Sequence, residues 1–257
     1  MKGCSRKRIL SVLVGTRLAG PALLLVSRYA TNIVGPLVSL LVVRYLGPEQ
    51  YGLYASAVAV TALFHVLTDF GLQQAALEAA AGRVYSLPAV LRGMVRLGAI
   101  YTCAAYGAVA VWVLVGKYEH SVVVLALYNG LSFFQPPLLS MVTVGLQAQG
   151  RYTRIALWNW ALSTARWVGT LVALLAQASI VSLVLWPIAL SWLVTLVMVG
   201  LESRTLGLVS EQSACVPLHE FFRRSWRFGS ASLMHELYHR ADSALLSLMR
   251  GPVEVGQ

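Results

Sequence analysis

Leu46-Gly47-Pro48-Glu49-Gln50-Tyr51-Gly52 follows one helix-length apolar segment, and Arg250-Gly251-Pro252-Val253-Glu254-Val255-Gly256 follows another near the end of the chain. Gly47, Pro48 and Gly52 match Gly251, Pro252 and Gly256 at a constant offset of 204 residues. The turn has a physical account. Gly47 can end a helix in a left-handed conformation, and Pro48 suits the opening of the next helix, where its missing N–H costs nothing. Glu49 in that first turn complements the helix dipole. The same turn used twice points to two related helical modules, with the sequence stopping at Gln257 just after the second begins.

Working outward, apolar residues make up 58% of the chain and charged ones 12%, about half the charged share usual in a soluble domain. A bilayer core needs about 20 mostly apolar residues per helical span. Seven segments qualify, near 19–45, 50–72, 97–115, 121–146, 154–176, 179–201 and 227–249. The seventh carries His235, Glu236, His239, Arg240 and Asp242; its place in the repeat is the reason to count it as a span. The fold class expected is all-α, a polytopic transmembrane bundle with a six-helix lobe plus the first helix of a second.

The net charge of +10 reads as orientation rather than nucleic-acid binding. Five Lys or Arg fall in residues 1–17, then Arg83, Arg92 and Arg96, then Arg151 and Arg154, then Arg204, Arg223, Arg224 and Arg227. The intervening loops hold only Arg44, Lys117 and Arg250. Basic residues concentrate in cytoplasmic loops, so the amino terminus is expected inside, in an inner membrane of bacterial type. Lys2, Arg6, Lys7 and Arg8 precede only a short apolar run with no convincing cleavage site, so residues 1–17 are expected to stay as a basic cytoplasmic segment. Cys4, Cys103 and Cys215 fit no metal-ligand spacing and no disulfide framework.

The expected division is 1–17 cytoplasmic segment, 18–202 six-helix lobe, 203–226 cytoplasmic amphipathic linker, and 227–257 opening helix and turn of a second lobe. Within the linker, Phe221, Phe222, Arg223, Arg224 and Trp226 suit a helix lying among lipid headgroups. A further link, 80–96, contains Pro88. Breakers interrupt the spans at Pro36, at Asp69-Phe70-Gly71, at Pro136-Pro137 and at Pro187. Freed backbone groups at membrane depth are tolerated where neighbouring helices or a wet cavity satisfy them, and several broken spans favour a transport cavity over a passive anchor.

Leu41-Val42-Val43-Arg44-Tyr45-Leu46 with the turn 47–52, Leu53-Tyr54, and then Asp69-Phe70-Gly71-Leu72 resembles the start of the polysaccharide and O-antigen lipid flippases. These belong to the multidrug/oligosaccharidyl-lipid/polysaccharide exporter superfamily. The stretch Asp242–Gly256 is similar to that family's seventh helix and following turn. Family members have two six-helix lobes around a central cavity, of which this chain supplies about half. The resemblance implies movement of an isoprenoid-diphosphate-linked oligosaccharide to the outer leaflet by alternating access, for lipopolysaccharide or related polysaccharide. It also implies membrane lipids and a second lobe or polysaccharide-assembly proteins as partners. No cofactor, metal, nucleic acid or enzymatic activity is expected.

A charge at the bilayer centre costs roughly 2.5–3.5 kcal/mol on insertion scales, so the arginines within spans are the candidate binding residues. Arg28 lies on a polar stripe with Asn32 and Ser39. Arg166 shares a helical stripe with Asn159, Ser163 and Thr170, and its helix carries no acidic residue. Arg240 adjoins His239 and follows Glu236 by four residues, the order that favours an intrahelical ion pair. Arg28, Asn32, Asn159, Arg166 and Arg240 are the expected substrate contacts, the guanidinium fork matching diphosphate oxygens. One alternative comes from His235-Glu236-Leu237-Tyr238-His239, the H-E-x-x-H pattern of zinc proteases, for which no third ligand is evident. Another is a membrane subunit that does not itself transport.

Overall fold

The computed structural model describes the backbone of residues 3–82, 85–207 and 216–249, and the side chains of residues 29, 31–82, 85–207 and 216–234. The side chains of Arg28, Arg240, His235, Glu236 and His239, and the repeat of the turn at 250–256, lie outside the described residues, as do Cys4 and Cys215. Every described element is helical, as the periodicity and apolar runs predict. They are α1 (Gly3–Asp69), α2 (Leu72–Ala81), α3 (Leu87–Val115), α4 (His120–Gly130), a 3-10 turn (Leu131–Phe134), α5 (Pro136–Ala148), α6 (Tyr152–Leu175), α7 (Ile180–Thr205) and α8 (Leu218–Met249).

Gly47 divides α1 into two arms. Its φ of 70° is positive as the turn reading requires, while its ψ of 173° is extended rather than left-handed helical. That region of backbone space is essentially restricted to glycine. The second arm ends at the expected break: Phe70 (φ 29°) and Gly71 (φ 72°) leave the helical region, and α2 starts again at Leu72. The Asp69 carboxylate accepts the Gln73 N–H and the Ser140 hydroxyl at 3.4 Å, tying the break to α5. Pro136 begins α5 after the 3-10 turn, so the fourth span is broken there. Pro36 lies inside α1 without leaving helical geometry, although its missing N–H removes one backbone hydrogen bond there.

Four stretches among the described residues are long and apolar enough to cross a membrane: Thr31–Ala81, Leu87–Val115, His120–Ala148 and Ile180–Thr205. The first contains both the Gly47 bend and the break at 70–71, so it holds two of the expected spans. The helix α6, diluted by Asn159, Ser163, Arg166 and Thr170, is not among them.

Two expected boundaries shift. The link 80–96 is shorter, because α3 already begins at Leu87 with Pro88 in its first turn. Charged Arg92 and Arg96 mark the end of the apolar span, not of the helix, since backbone bonds continue past the hydrocarbon. The segment 218–226 is likewise not a separate surface helix; it forms the first turns of α8, continuous to Met249. Phe221, Ser225 and Gly229, four residues apart, make a buried stripe that seats this end of α8 on the lobe. Phe221 joins a core with Leu72, Ala76, Val90, Met94 and Leu146. Phe70 packs edge-on to Tyr101 and Trp226 at 5.7 and 5.3 Å, and Tyr101 Oη lies 2.8 Å from Ser225 Oγ. A methyl on Gly71 would overlap the Gly229 backbone, and one on Gly229 would sit 2.6 Å from Phe70 O and against the Phe70 ring, so the two backbones approach closely with Phe70 and Phe228 flanking the contact.

The helices α6 and α7 are joined at two heights. At one, a methyl on Gly169 would lie 2.7 Å from Pro187 Cα, so α6 rests directly on the proline bend of α7. At the other, buried Glu202 accepts Arg154 Nη1 at 3.0 Å, Trp158 Nε1 at 3.2 Å and Thr205 Oγ1 at 2.8 Å. Arg154, counted above among the loop charges, is thus also half of a structural ion pair.

Candidate functional site: a divided polar cavity at Arg166

The broken fourth span, α1, α6 and α7 enclose a polar cavity of ≈ 290 Å³. Pro136 opens α5 and Pro187 bends α7, so neither wall is a straight apolar helix. Tyr54 and His65 contribute from α1, Asn129 and Ser132 from the end of α4 and the 3-10 turn, Gln135 from the break, Arg166 and Thr170 from α6, and Ser191 from α7. A second, more open groove of ≈ 430 Å³ lies between α1 and α6, lined by Thr31, Asn32, Leu139, Asn159, Leu162, Ser163 and Arg166. Thr31 Oγ1 and Ser163 Oγ approach to 3.5 Å across it. Arg166 belongs to both walls.

The arginine is held from behind. Its Nη2 donates to Gln135 Oε1 at 3.2 Å, and Gln135 Nε2 donates to Thr195 Oγ1 at 2.6 Å. Gln135 is 1% exposed. Its orientation follows from the partners: the guanidinium has only donors, so it requires the amide oxygen. Thr195 commits its hydrogen to Ser191 O at 2.8 Å and so requires the amide nitrogen. Among the described residues no carboxylate pairs with Arg166. The guanidinium therefore keeps its positive charge while most of its donors remain available to the cavity and groove.

Of the residues expected at the site, Asn32, Asn159 and Arg166 come together in the groove, with Ser163 beside them. Thr170 lies on the inner wall and donates to Arg166 O at 3.0 Å. Ser39 donates to Gly35 O within α1 and is exposed; it lines neither cavity. Arg28 and Arg240 fall outside the described side chains. Sequence reasoning did not select Tyr54, His65, Asn129, Ser132, Gln135 or Ser191. A usable signal existed for two of them: Gln135 directly precedes Pro136-Pro137, and Asn129-Gly130 interrupts the same apolar run.

Residues 18–257 match the sequence profile of the family described as polysaccharide biosynthesis protein. The chain belongs to that family. No curated protein matches it in sequence. Among solved structures it is similar to a multidrug resistance MATE family transporter of the MOP superfamily in an outward-facing conformation, at 14% identity and a TM-score of 0.57. That alignment covers 92% of this chain and 57% of the other. It is also similar to a MOP superfamily transporter from Pyrococcus furiosus, at 15% identity and a TM-score of 0.54, covering 90% of this chain and 54% of that one. At such identities the likeness shows the fold alone. The chain spans a little over half the length of these structures. Membership of this family, with four described stretches long and apolar enough to cross a membrane, makes the chain a multi-pass membrane protein.

Proposed function

We propose that this chain forms the first lobe of a transporter that moves an isoprenoid-diphosphate-linked oligosaccharide across the inner membrane by alternating access. Arg166, Asn32 and Asn159 contact the diphosphate. The observation that carries the reading is Arg166 itself: an arginine on the wall of two cavities, tethered to a neutral amide at 3.2 Å and free of carboxylates among the described residues. Family membership supports polysaccharide assembly as the setting. The length of the similar structures supports a partner lobe completing the path, since the aligned part of this chain covers 57% of one and 54% of the other.

The test replaces Arg166 in cells that supply the second lobe, covalently or co-expressed, and measures lipid-linked oligosaccharide reaching the outer leaflet alongside protein abundance. Arg166→Lys keeps the charge and loses the planar fork, so it impairs export nearly as much as Arg166→Ala. Normal export by Arg166→Ala at normal abundance removes Arg166 from the site. The accompanying orientation, with the amino terminus cytoplasmic, is checked with an impermeant thiol reagent: Cys215 stays unlabelled from outside until the membrane is opened.

A further inference from the structure

The inner cavity is lined by hydroxyls whose hydrogens are already committed. Ser132 donates to Asn129 O at 2.7 Å, Ser191 to Ile188 O at 2.9 Å, and Thr170 to Arg166 O at 3.0 Å. A hydroxyl has one hydrogen, so each of these oxygens offers the cavity only lone pairs. Asn129 is turned the same way. Thr61 commits its hydrogen to Ala57 O or Val58 O, both at 3.0 Å, and can therefore only accept from Asn129 Nδ2, at 2.6 Å. Asn129 Oδ1 is then left as an acceptor with no partner among the described residues. The serine, threonine and asparagine oxygens of this wall thus face the cavity as acceptors, with Tyr54 and His65 completing the polar lining. A phosphoryl group, which brings acceptors of its own, is served at Arg166 and poorly served by those oxygens.

A group rich in O–H donors is what such a wall fits. We propose that the inner cavity is a subsite for a neutral polyhydroxylated ring, the sugar adjoining the phosphate, with the phosphoryl group held on the groove side of Arg166. This rests on the transport reading above and adds a division of labour to it. The volume of ≈ 290 Å³ stands at the small end of ligand pockets, roughly 300–1,000 Å³, and suits a single ring rather than an extended chain. Leu183, Val184, Pro187 and Ile188 on the remaining side offer an apolar surface to the C–H face of a ring. Acceptor oxygens also suit a monovalent cation, but the Arg166 charge in the same cavity opposes one.

The experiment measures binding to the full 257-residue chain in lipid nanodiscs with two probes, a hexose 1-diphosphate and inorganic pyrophosphate. The wild-type chain should bind the hexose diphosphate more tightly. Ser132→Ala should weaken the hexose diphosphate by about five-fold and leave pyrophosphate unchanged. Should that variant unfold, Asn129→Leu carries the same comparison. Equal losses for both probes, or no gain from the hexose in the wild type, overturn the sugar subsite while the transport reading stands. Failure of both probes to bind overturns the two together. Thermal stabilisation by sodium chloride over choline chloride, abolished in the same variants, assigns the wall to a cation and likewise overturns the proposal.

Discussion

A glutamine stands where an arginine lining a polar cavity would ordinarily be expected to find a carboxylate. Gln135 fixes the position of Arg166 without cancelling its charge, and its own second bond, to Thr195, fixes Gln135 in turn. Gln135→Glu is nearly isosteric and would convert the tether into a buried ion pair. Thr195 can rotate its hydroxyl to donate to the new carboxylate, so abundance should be retained. The guanidinium would then be neutralised before any ligand arrives, and affinity for pyrophosphate should drop at least about ten-fold, ~1.4 kcal/mol. Titration of the purified variant decides this; an unchanged dissociation constant would show that the charge of Arg166 is not what binds. The place of Gln135 before Pro136-Pro137 was legible in the sequence, but its role was not. Its partners lie 31, 56 and 60 positions away on two other helices, and a lone polar residue in an apolar run carries no periodic pattern.

At the scale of elements, the turns were the legible part. Gly47, Gly71 and Pro136 write their effect into the backbone locally, without help from distant residues, so their breaks could be read one residue at a time. The Gly47 bend allows a clean test, because a methyl there meets no atom within 4 Å. Any loss in Gly47→Ala is torsional, about 1–3 kcal/mol for a conformation other residues avoid. Gly35 also has open space around it but lacks a positive φ, so Gly35→Ala should be neutral or gain up to about 1 kcal/mol of helix propensity. Denaturant titration in detergent compares the two, and equal behaviour would refute the torsional account. The start of α8 keeps Phe222 and Trp226 exposed, and its aromatic and basic residues did not reveal that it continues into α8 and packs on the lobe. The decisive signal was the spacing of Phe221, Ser225 and Gly229, small or apolar at every fourth place, which marks a face that packs.

Across the whole molecule, that seating of α8 has a polar fastening at its outer end. Tyr85 Oη donates to Glu220 Oε2 at 2.6 Å, and Arg224 Nη2 to Glu220 Oε1 at 2.7 Å. The hydrogen bond from Tyr85, and then that from Arg224, hold the Glu220 carboxyl below its ordinary value. A depressed carboxyl stabilises the folded arrangement above the unfolded value, near 4.3, and loses that contribution as pH falls through the lower folded value. Thermal stability of the wild type should therefore decline more steeply below about pH 4.3 than that of Glu220→Gln. Parallel curves would show that the fastening is idle. The helical class could be read from hydropathy, while the count was approximate, since the first two expected spans join in α1 and the fourth divides into α4 and α5. Which helix leans on which could not be read, because that depends on shape matches such as Gly169 against Pro187 that no single segment records.

The meeting of Gly71 and Gly229 has a mechanical consequence. Each glycine is a socket for its neighbour's aromatic residue: the Phe70 ring lies on Gly229 and Phe228 Cβ against Gly71. Sliding apart would open a void next to Phe70 and Tyr101, and turning would drive the Phe70 ring into Trp226. The joint therefore works as a key in a lock and holds the start of α8 to the lobe as one piece. A bulky residue at either glycine would force the two segments apart.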